Sequence, residues 1–321
     1  MANSINEYDR YGKRRRYTRR NVFGVVGGAA LAGAAIGLGG WGNIKNAAAT
    51  TLTPSPIASP AAEPGDELLF RVEHSGGFVP VEFIFTNLPA ISIYADGRVI
   101  TTGPMIEIYP QPALPNLRQT VLTEAGLQRV LDEIRDSGLF TDTTHYEGPE
   151  ITDLPDTIFT LNDAGRTVVV SAYALGVDET MLPDRVDAGA RAELLDLLAF
   201  VSNLPSNLPA EEIVSADEAY GIERIKFLAR EVDPANPPWD DPALAQTEIA
   251  WPLDTSLDSV AQPYDGPFGE LETLCTALDG EDATEVVTAL EGANQLTPWE
   301  SDGTQYLLWV RPLLPDEPTS C

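Results

Sequence analysis

Apolar positions first alternate with polar ones at Leu68, Phe70 and Val72, the period of a half-buried strand, and Ser75-Gly76-Gly77 breaks the run. Val81-Glu82-Phe83-Ile84-Phe85 predicts a second strand. Ile91-Ser92-Ile93-Tyr94 and Arg98-Val99-Ile100 flank Ala95-Asp96-Gly97, a hairpin signal because Asp-Gly tolerates positive φ. A Pro-rich passage, 110–115, follows. The spacing of Leu127, Val130, Leu131 and Ile134 predicts a helix with Thr123 as N-cap and Gly138 as stop. Thr157–Leu161 and Thr167–Val170, joined by Asn162-Asp163-Ala164-Gly165, predict a second hairpin, and Leu194, Leu197, Leu198 and Val201 a second helix. Hairpin-then-helix thus occurs twice in 67–205, a shared shape with little shared sequence.

Asn203-Leu204-Pro205, Leu208-Pro209 and the acidic run Glu211–Glu218 predict a boundary, with a second α+β domain over 206–321. It opens with a strand at Arg224–Arg230. A loop with Pro234, Pro237, Pro238 and Pro242 carries Trp239, and a strand at Tyr306–Val310 closes the domain. Leu271, Leu274, Cys275 and Leu278 predict one short helix, and Val286, Val287 and Leu290 another, with Asp282 and Glu285 as a capping box between them. Strands grouped with helices, without βαβ alternation, predict an α+β fold of antiparallel hairpins packed with short amphipathic helices.

The first 49 residues have a different pattern. Arg14, Arg15, Arg16, Arg19 and Arg20 precede Val22–Trp41, a stretch without charge, and Ala47-Ala48-Ala49 supplies small residues where a signal peptidase cuts. Thr18-Arg19-Arg20-Asn21-Val22-Phe23 resembles the twin-arginine export consensus, with Phe23 one position late. Arg19 and Arg20 are read as the export signal, with cleavage after Ala49 read through Ala47 and Ala49. The alternative is an uncleaved anchor through residues 22–41, although seven glycines weaken both helix and insertion there. Either reading places the remainder outside the cytoplasm, secreted or in the cell envelope. Residues 50–66 are Pro, Ser, Thr and Ala with few large apolar groups, the composition of a linker.

Charge narrows the partners. The chain has 20 Lys and Arg against 49 Asp and Glu. Without the eight basic and two acidic residues of 1–49, 12 basic and 47 acidic side chains remain, a formal charge of −35. Such a field repels nucleic acid and anionic lipid, so neither is expected as a partner. Two cysteines, Cys275 and Cys321, predict one structural disulfide tethering the tail.

Candidate chemistry is sparse. Histidine occurs twice, at 74 and 145, and no nucleophile elbow, phosphate-cradling loop or dinucleotide fingerprint is present. His74-Ser75-Gly76-Gly77 reads as a turn after an edge strand. Asp142, His145 and Glu147 are the metal-ligand candidates, a D-x-x-H-x-E string that matches no zinc signature and reads more simply as a solvated acidic loop. Carboxylate pairs for hydrolysis are defined by distance in space, which 47 acids leave open. No cofactor and no catalytic residue is expected. The role expected is a non-catalytic binding protein for a protein or glycan, the alternatives being a carboxylate- or metal-dependent hydrolase and a structural surface protein.

Arg71-Val72-Glu73-His74-Ser75-Gly76-Gly77-Phe78, then a helix ending at Gly138-Leu139-Phe140, then a hairpin over Asp156–Tyr173 with a following helix, resembles emfourin, the small bacterial inhibitor of thermolysin-like metalloproteases. The resemblance covers 67–203, and 81–115 is an insertion relative to it. It implies inhibition of a secreted metalloprotease, and no inhibitory residue is carried over.

Overall fold

A computed structural model describes residues 65–233, 235, 237, 239, 241–264 and 273–321. The export signal at Arg19 and Arg20, the apolar stretch 22–41 and the cleavage residues Ala47 and Ala49 lie outside the described residues. The described residues belong to one compact unit.

The first sheet is built in chain order from β1 (Leu68–Gly76), β2 (Ile91–Tyr94), β3 (Arg98–Thr102), β4 (Leu117–Leu122), β5 (Thr144–Tyr146), β6 (Pro155–Asp163), β7 (Arg166–Tyr173) and β8 (Ile213–Ala219). Helices α1 (Val81–Thr86), α2 (Glu124–Asp136), α3 (Ala188–Ser202) and the short α4 (Leu204–Asn207) lie between them in sequence. The eight strands run in the order β5-β7-β6-β1-β2-β3-β4-β8, antiparallel except for β5 beside β7. Both hairpin-helix units therefore share one sheet. The strand ending in His74-Ser75-Gly76 is an interior strand between β6 and β2, not an edge, because its apolar positions find neighbours on both sides.

Alternation decides which side chains meet the helices. Phe70 and Val72 of β1, Ile93 of β2, Val99 of β3, Phe159 of β6 and Val170 of β7 face α2 and α3, whose Val130, Ile134, Leu194, Leu197 and Val201 complete the core. Each such side chain contributes about 1.5–3 kcal/mol through burial. Thr123 caps α2 by accepting from the Gly126 N–H at 3.2 Å, and Gly138 ends that helix at φ 70°. The β2–β3 turn requires glycine at 97: φ is 89°, and a Cβ there would meet the Leu122 carbonyl oxygen at 2.6 Å.

The second sheet comprises β9 (Ile225–Glu231), β10 (Ile249–Ala250), β11 (Gln262–Pro263), β12 (Leu274–Leu278), β13 (Trp299–Ser301) and β14 (Thr304–Pro312), in the order β10-β13-β14-β9-β12-β11. The short α5 (Leu257–Val260) and α6 (Gly280–Leu290) accompany it. Ala283, Val286 and Leu290 of α6 pack on Phe227, Trp251, Trp299 and Leu308. The chain is thus an α+β protein of two largely antiparallel sheets, each with its own core.

Three local expectations are corrected. Val81–Thr86 is a helix, because Pro80 opens it and Phe85 turns inward while Phe83 and Ile84 stay exposed, a pattern no alternating strand gives. Leu274–Leu278 is a strand paired on both sides, with β9 and β11, and Leu271 lies outside the described residues. The capping box at Asp282 and Glu285 is absent: α6 starts one turn earlier, with Asp279 as N-cap and no side-chain cap bond. The Pro-rich stretch near 204–209 does not end the first sheet either, since β8 pairs with β4 beyond it.

The C-terminal tail joins the two sheets. Leu314 is buried among Tyr94, Ile100 and Leu117 of the first sheet's other face. Asp316 accepts from Arg71 at 2.7 Å and from the Tyr94 hydroxyl at 2.8 Å. Burial, then the neighbouring Asp316 carboxylate, lifts the Tyr94 phenol well above its ordinary value, so it stays a donor. Glu317 takes two bonds from Arg311, at 2.8 and 2.6 Å, and one from the Leu314 N–H at 2.8 Å. Burial alone would raise the Glu317 carboxyl, but these donors hold it below the ordinary range. Arg224 donates to the carbonyl oxygens of Leu314, Pro315 and Glu317. Cys321 then closes on Cys275 of β12, with Cα atoms 6.0 Å apart and a sequence separation of 46. The bridge thus anchors the tail to a strand rather than a helix. The chain-entropy model gives a loop of this length about 4 kcal/mol.

Candidate functional site

Strand register sorts the connections of the first sheet into two ends. At one end Leu68 pairs with Tyr94, Leu122 with Ile213, and Asp163 with Arg166, so the tight turns at 95–97 and 164–165 lie there with the start of the described chain. At the other end Gly76 pairs with Pro155, Ile91 with Thr101, and Thr102 with Leu117. The connections 77–90, 103–116, 147–154 and 174–187 emerge there.

This second end carries most of the exposed large apolar side chains: Phe78, Phe83, Ile84, Met105, Ile106, Ile108 and Tyr109, with Ile151 and Val177. Val214 lies at the opposite end. Phe78 is 90% exposed, Ile106 62% and Tyr109 60%. Single exposed apolar residues are ordinary on a protein surface, whereas here nine of the ten exposed large apolar side chains among the described residues come from connections at one end.

The most exposed segment is held in place at its base. Gly103 N–H donates to the Asn116 carbonyl oxygen at 2.7 Å, and the Asn116 side chain donates to the Pro104 carbonyl oxygen at 2.9 Å. Downstream, Ala113 N–H reaches the Ala293 carbonyl oxygen at 3.1 Å, and Gln295 N–H reaches the Gln111 carbonyl oxygen at 2.9 Å. Ala113 and Leu114 pack against the second core. Between these anchors Pro104-Met105-Ile106-Glu107-Ile108-Tyr109-Pro110 projects, bent by a bond from the Ile108 N–H to the Ile106 carbonyl oxygen at 3.0 Å. Nearby in sequence, α1 inserts Phe85 between Leu228, Cys275 and Tyr264, under Lys226, whose Nζ is 5.3 Å from the ring centre. That leaves Phe83 and Ile84 outside. The Phe78 N–H is tied to the Asp153 carbonyl oxygen at 3.3 Å.

Beneath this end, Arg191 is wholly buried. It donates to both oxygens of Glu179 and to the carbonyl oxygens of Glu147, Tyr173 and Ala174, joining α3 to the 147–150 and 174–179 connections.

The metal-ligand candidates do not converge. Asp142 pairs with Arg166 at 3.3 Å, and Glu147 with Arg185 at 2.8 Å. His145 points across β7 to Ser171, whose Oγ lies 2.9 Å from Nδ1. Among the described residues, no group of three or more His, Cys, Asp and Glu is placed to hold a metal ion. Asp142 and Glu147 lie on the flanks of β5 rather than in it, and each carboxylate is taken by its own arginine.

Asp156 Oδ1 also approaches His145, at 3.7 Å from the same Nδ1, so Ser171, His145 and Asp156 lie together. A nucleophilic relay needs hydroxyl and carboxylate on opposite ring nitrogens, and this arrangement puts both on one. Burial pushes the His74 imidazole below its ordinary value, and its Nδ1 lies 3.2 Å from Thr157 Oγ1. Carboxyls held below their ordinary range at Asp163, Glu179 and Glu212 each bond an arginine first of all, at Arg135, Arg191 and Arg129 respectively. These shifts mark structural ion pairs rather than a poised acid or base. An open cleft of about 670 Å³ lined by Glu223, Asp279, Glu281 and Glu285 includes Arg224, which is committed to the tail.

No protein-family model matches this chain, and no curated protein matches it. The apolar end was missed in sequence because its residues come from separate connections. The signal within reach was local: four large apolar side chains between Pro104 and Pro110, where strands on both sides had already ended.

Proposed function

We propose that the protein is an exported, non-catalytic binding protein of the cell envelope or medium, engaging its partner through the apolar end of the first sheet. The observation that carries this reading is the anchored segment 104–110, with Met105, Ile106, Ile108 and Tyr109 in solvent at the same end of the sheet from which the 77–90 connection, with the exposed Phe83 and Ile84 of α1, emerges. A large apolar side chain left in water forgoes about 1.5–3 kcal/mol of burial, which association recovers. Export is supported by the basic-then-apolar order of residues 1–49 and by the Cys275–Cys321 bridge. The test is a pull-down from envelope and culture fluid with the intact protein, disulfide formed, against a variant with Met105, Ile106, Ile108 and Tyr109 all changed to Ser. A stoichiometric partner on the parent alone is expected. The same partner on both proteins, or none on either, defeats this assignment.

Inhibition of a secreted metalloprotease is a narrower version. Apart from the emfourin resemblance, it is favoured by a projecting segment pinned on both sides, as a cleft-filling element must be. Titrating a thermolysin-like protease with the parent and the fourfold Ser variant tests it: the parent should inhibit and the variant should not.

A further inference from the structure

We infer that the partner at the apolar end is a protein with an apolar groove rimmed by Lys or Arg, docking at the end of the first sheet opposite Gly65. The inference rests on the proposed binding role and adds the partner's chemistry and direction of approach.

Direction follows from where the described chain starts. Gly65 abuts Asp96 in the β2–β3 turn, and Asp66 pairs with Arg98. The exposed segment 104–110 begins past the far end of β3, roughly 15 Å of strand away. The described chain therefore starts at the opposite end of the first sheet.

Chemistry follows from charge. The arginines at 71, 98, 118, 129, 135, 166, 185, 191 and 311 all pair with the chain's own carboxylates. Arg224 is held by tail carbonyls, Lys226 lies over Phe85 and Arg230 over Trp309. The surplus acids thus have few internal counter-ions. Glu107 stands in the middle of the exposed apolar run, between Ile106 and Ile108. A second copy would bring another net −29 to the contact, and an anionic bilayer is repelled for the same reason. A cationic rim around an apolar groove answers both features at once.

The experiment places a photo-crosslinking residue at Ile106, and separately at Val214 on the opposite end, in the full chain expressed by its producing cell. The expected result is a crosslink from position 106, and not from 214, to one identified protein with a basic surface. Its purified complex should weaken at least about tenfold between 50 and 500 mM NaCl, and Glu107→Lys should weaken it by a similar factor. A 106-specific protein partner whose affinity ignores salt and Glu107→Lys overturns the cationic groove while leaving the binding role standing. Crosslinking to a second copy or to lipid overturns the inferred partner. Crosslinks at 214 but not at 106, or at neither, overturn the docking end and the binding role together.

Discussion

The two ends of the first sheet are built on the same strands and finish differently. The end holding the 95–97 and 164–165 turns closes with tight connections and ion pairs: Arg98 with Asp66 and Asp96, Arg135 with Asp163, and Arg129 with Glu212. The other end sends out connections of about a dozen residues and leaves their apolar side chains in water. Short turns leave few side chains without a neighbour, and charged rims discourage association. Long connections anchored only at their bases present side chains that intramolecular packing does not use. One end is therefore finished by the fold itself, and the other leaves its apolar side chains to solvent.

The largest effect that would break this comparison is at Arg191. Arg191→Ala leaves Glu179 and three carbonyl groups without their donor, so a loss of about 3–5 kcal/mol is expected in denaturant unfolding. A smaller loss would mean that the apolar end does not depend on its buried support. Next, Cys321→Ser should lower stability by about 2–4 kcal/mol while leaving Ile106 and Tyr109 as exposed as before, read by calorimetry alongside surface labelling. The third effect is pH-dependent. Asp163 and Glu212 have folded pKa values below their unfolded ones, so their stabilisation is full above about pH 4.5 and is lost as pH falls through the depressed folded values. Hydrogen-exchange protection near Arg129, Arg135 and the 164–165 turn should fall below about pH 4, as should that around the Arg191–Glu179 pair, ahead of the 103–116 connection, whose tip is mainly apolar. An equal and simultaneous loss of protection at 103–116 would remove the contrast. The smallest effect expected is on folding stability in Ile106→Ser, a change within about 0.5 kcal/mol, because a side chain mostly in water contributes little to the folded state. A cost above about 2 kcal/mol would show that Ile106 is packed in solution and is not available to a partner.

Some of the structure could be read locally. The 91–100 and 157–170 hairpins and the helices at 124–136 and 188–202 were legible because turn glycines, a threonine cap and apolar spacing agreed within each segment. The chain's cysteine pair was legible because two cysteines allow one intramolecular pairing. Val81–Thr86 was misread because Val, Phe and Ile favour strands while a six-residue window cannot separate a period of 2 from 3.6. Leu274–Leu278 failed for the opposite reason. A strand buried on both faces has no polar alternation, and its apolar spacing imitates a helical stripe. Asp142, His145 and Glu147 were close in sequence but take separate partners in space.

By itself, the sequence determined the α+β class, the excess of negative charge, the disulfide partners and the principal hairpins, since each depends on composition or on neighbours a few positions apart. Only the tertiary structure decided that both hairpin-helix units share one sheet, that residues 313–317 bridge two cores through Arg71, Tyr94, Arg224 and Arg311, and that the exposed apolar residues of 78–109 share one end. Those features join positions up to 245 apart in sequence, and such pairings are selected by burial and ion pairing over the whole fold rather than by local preference.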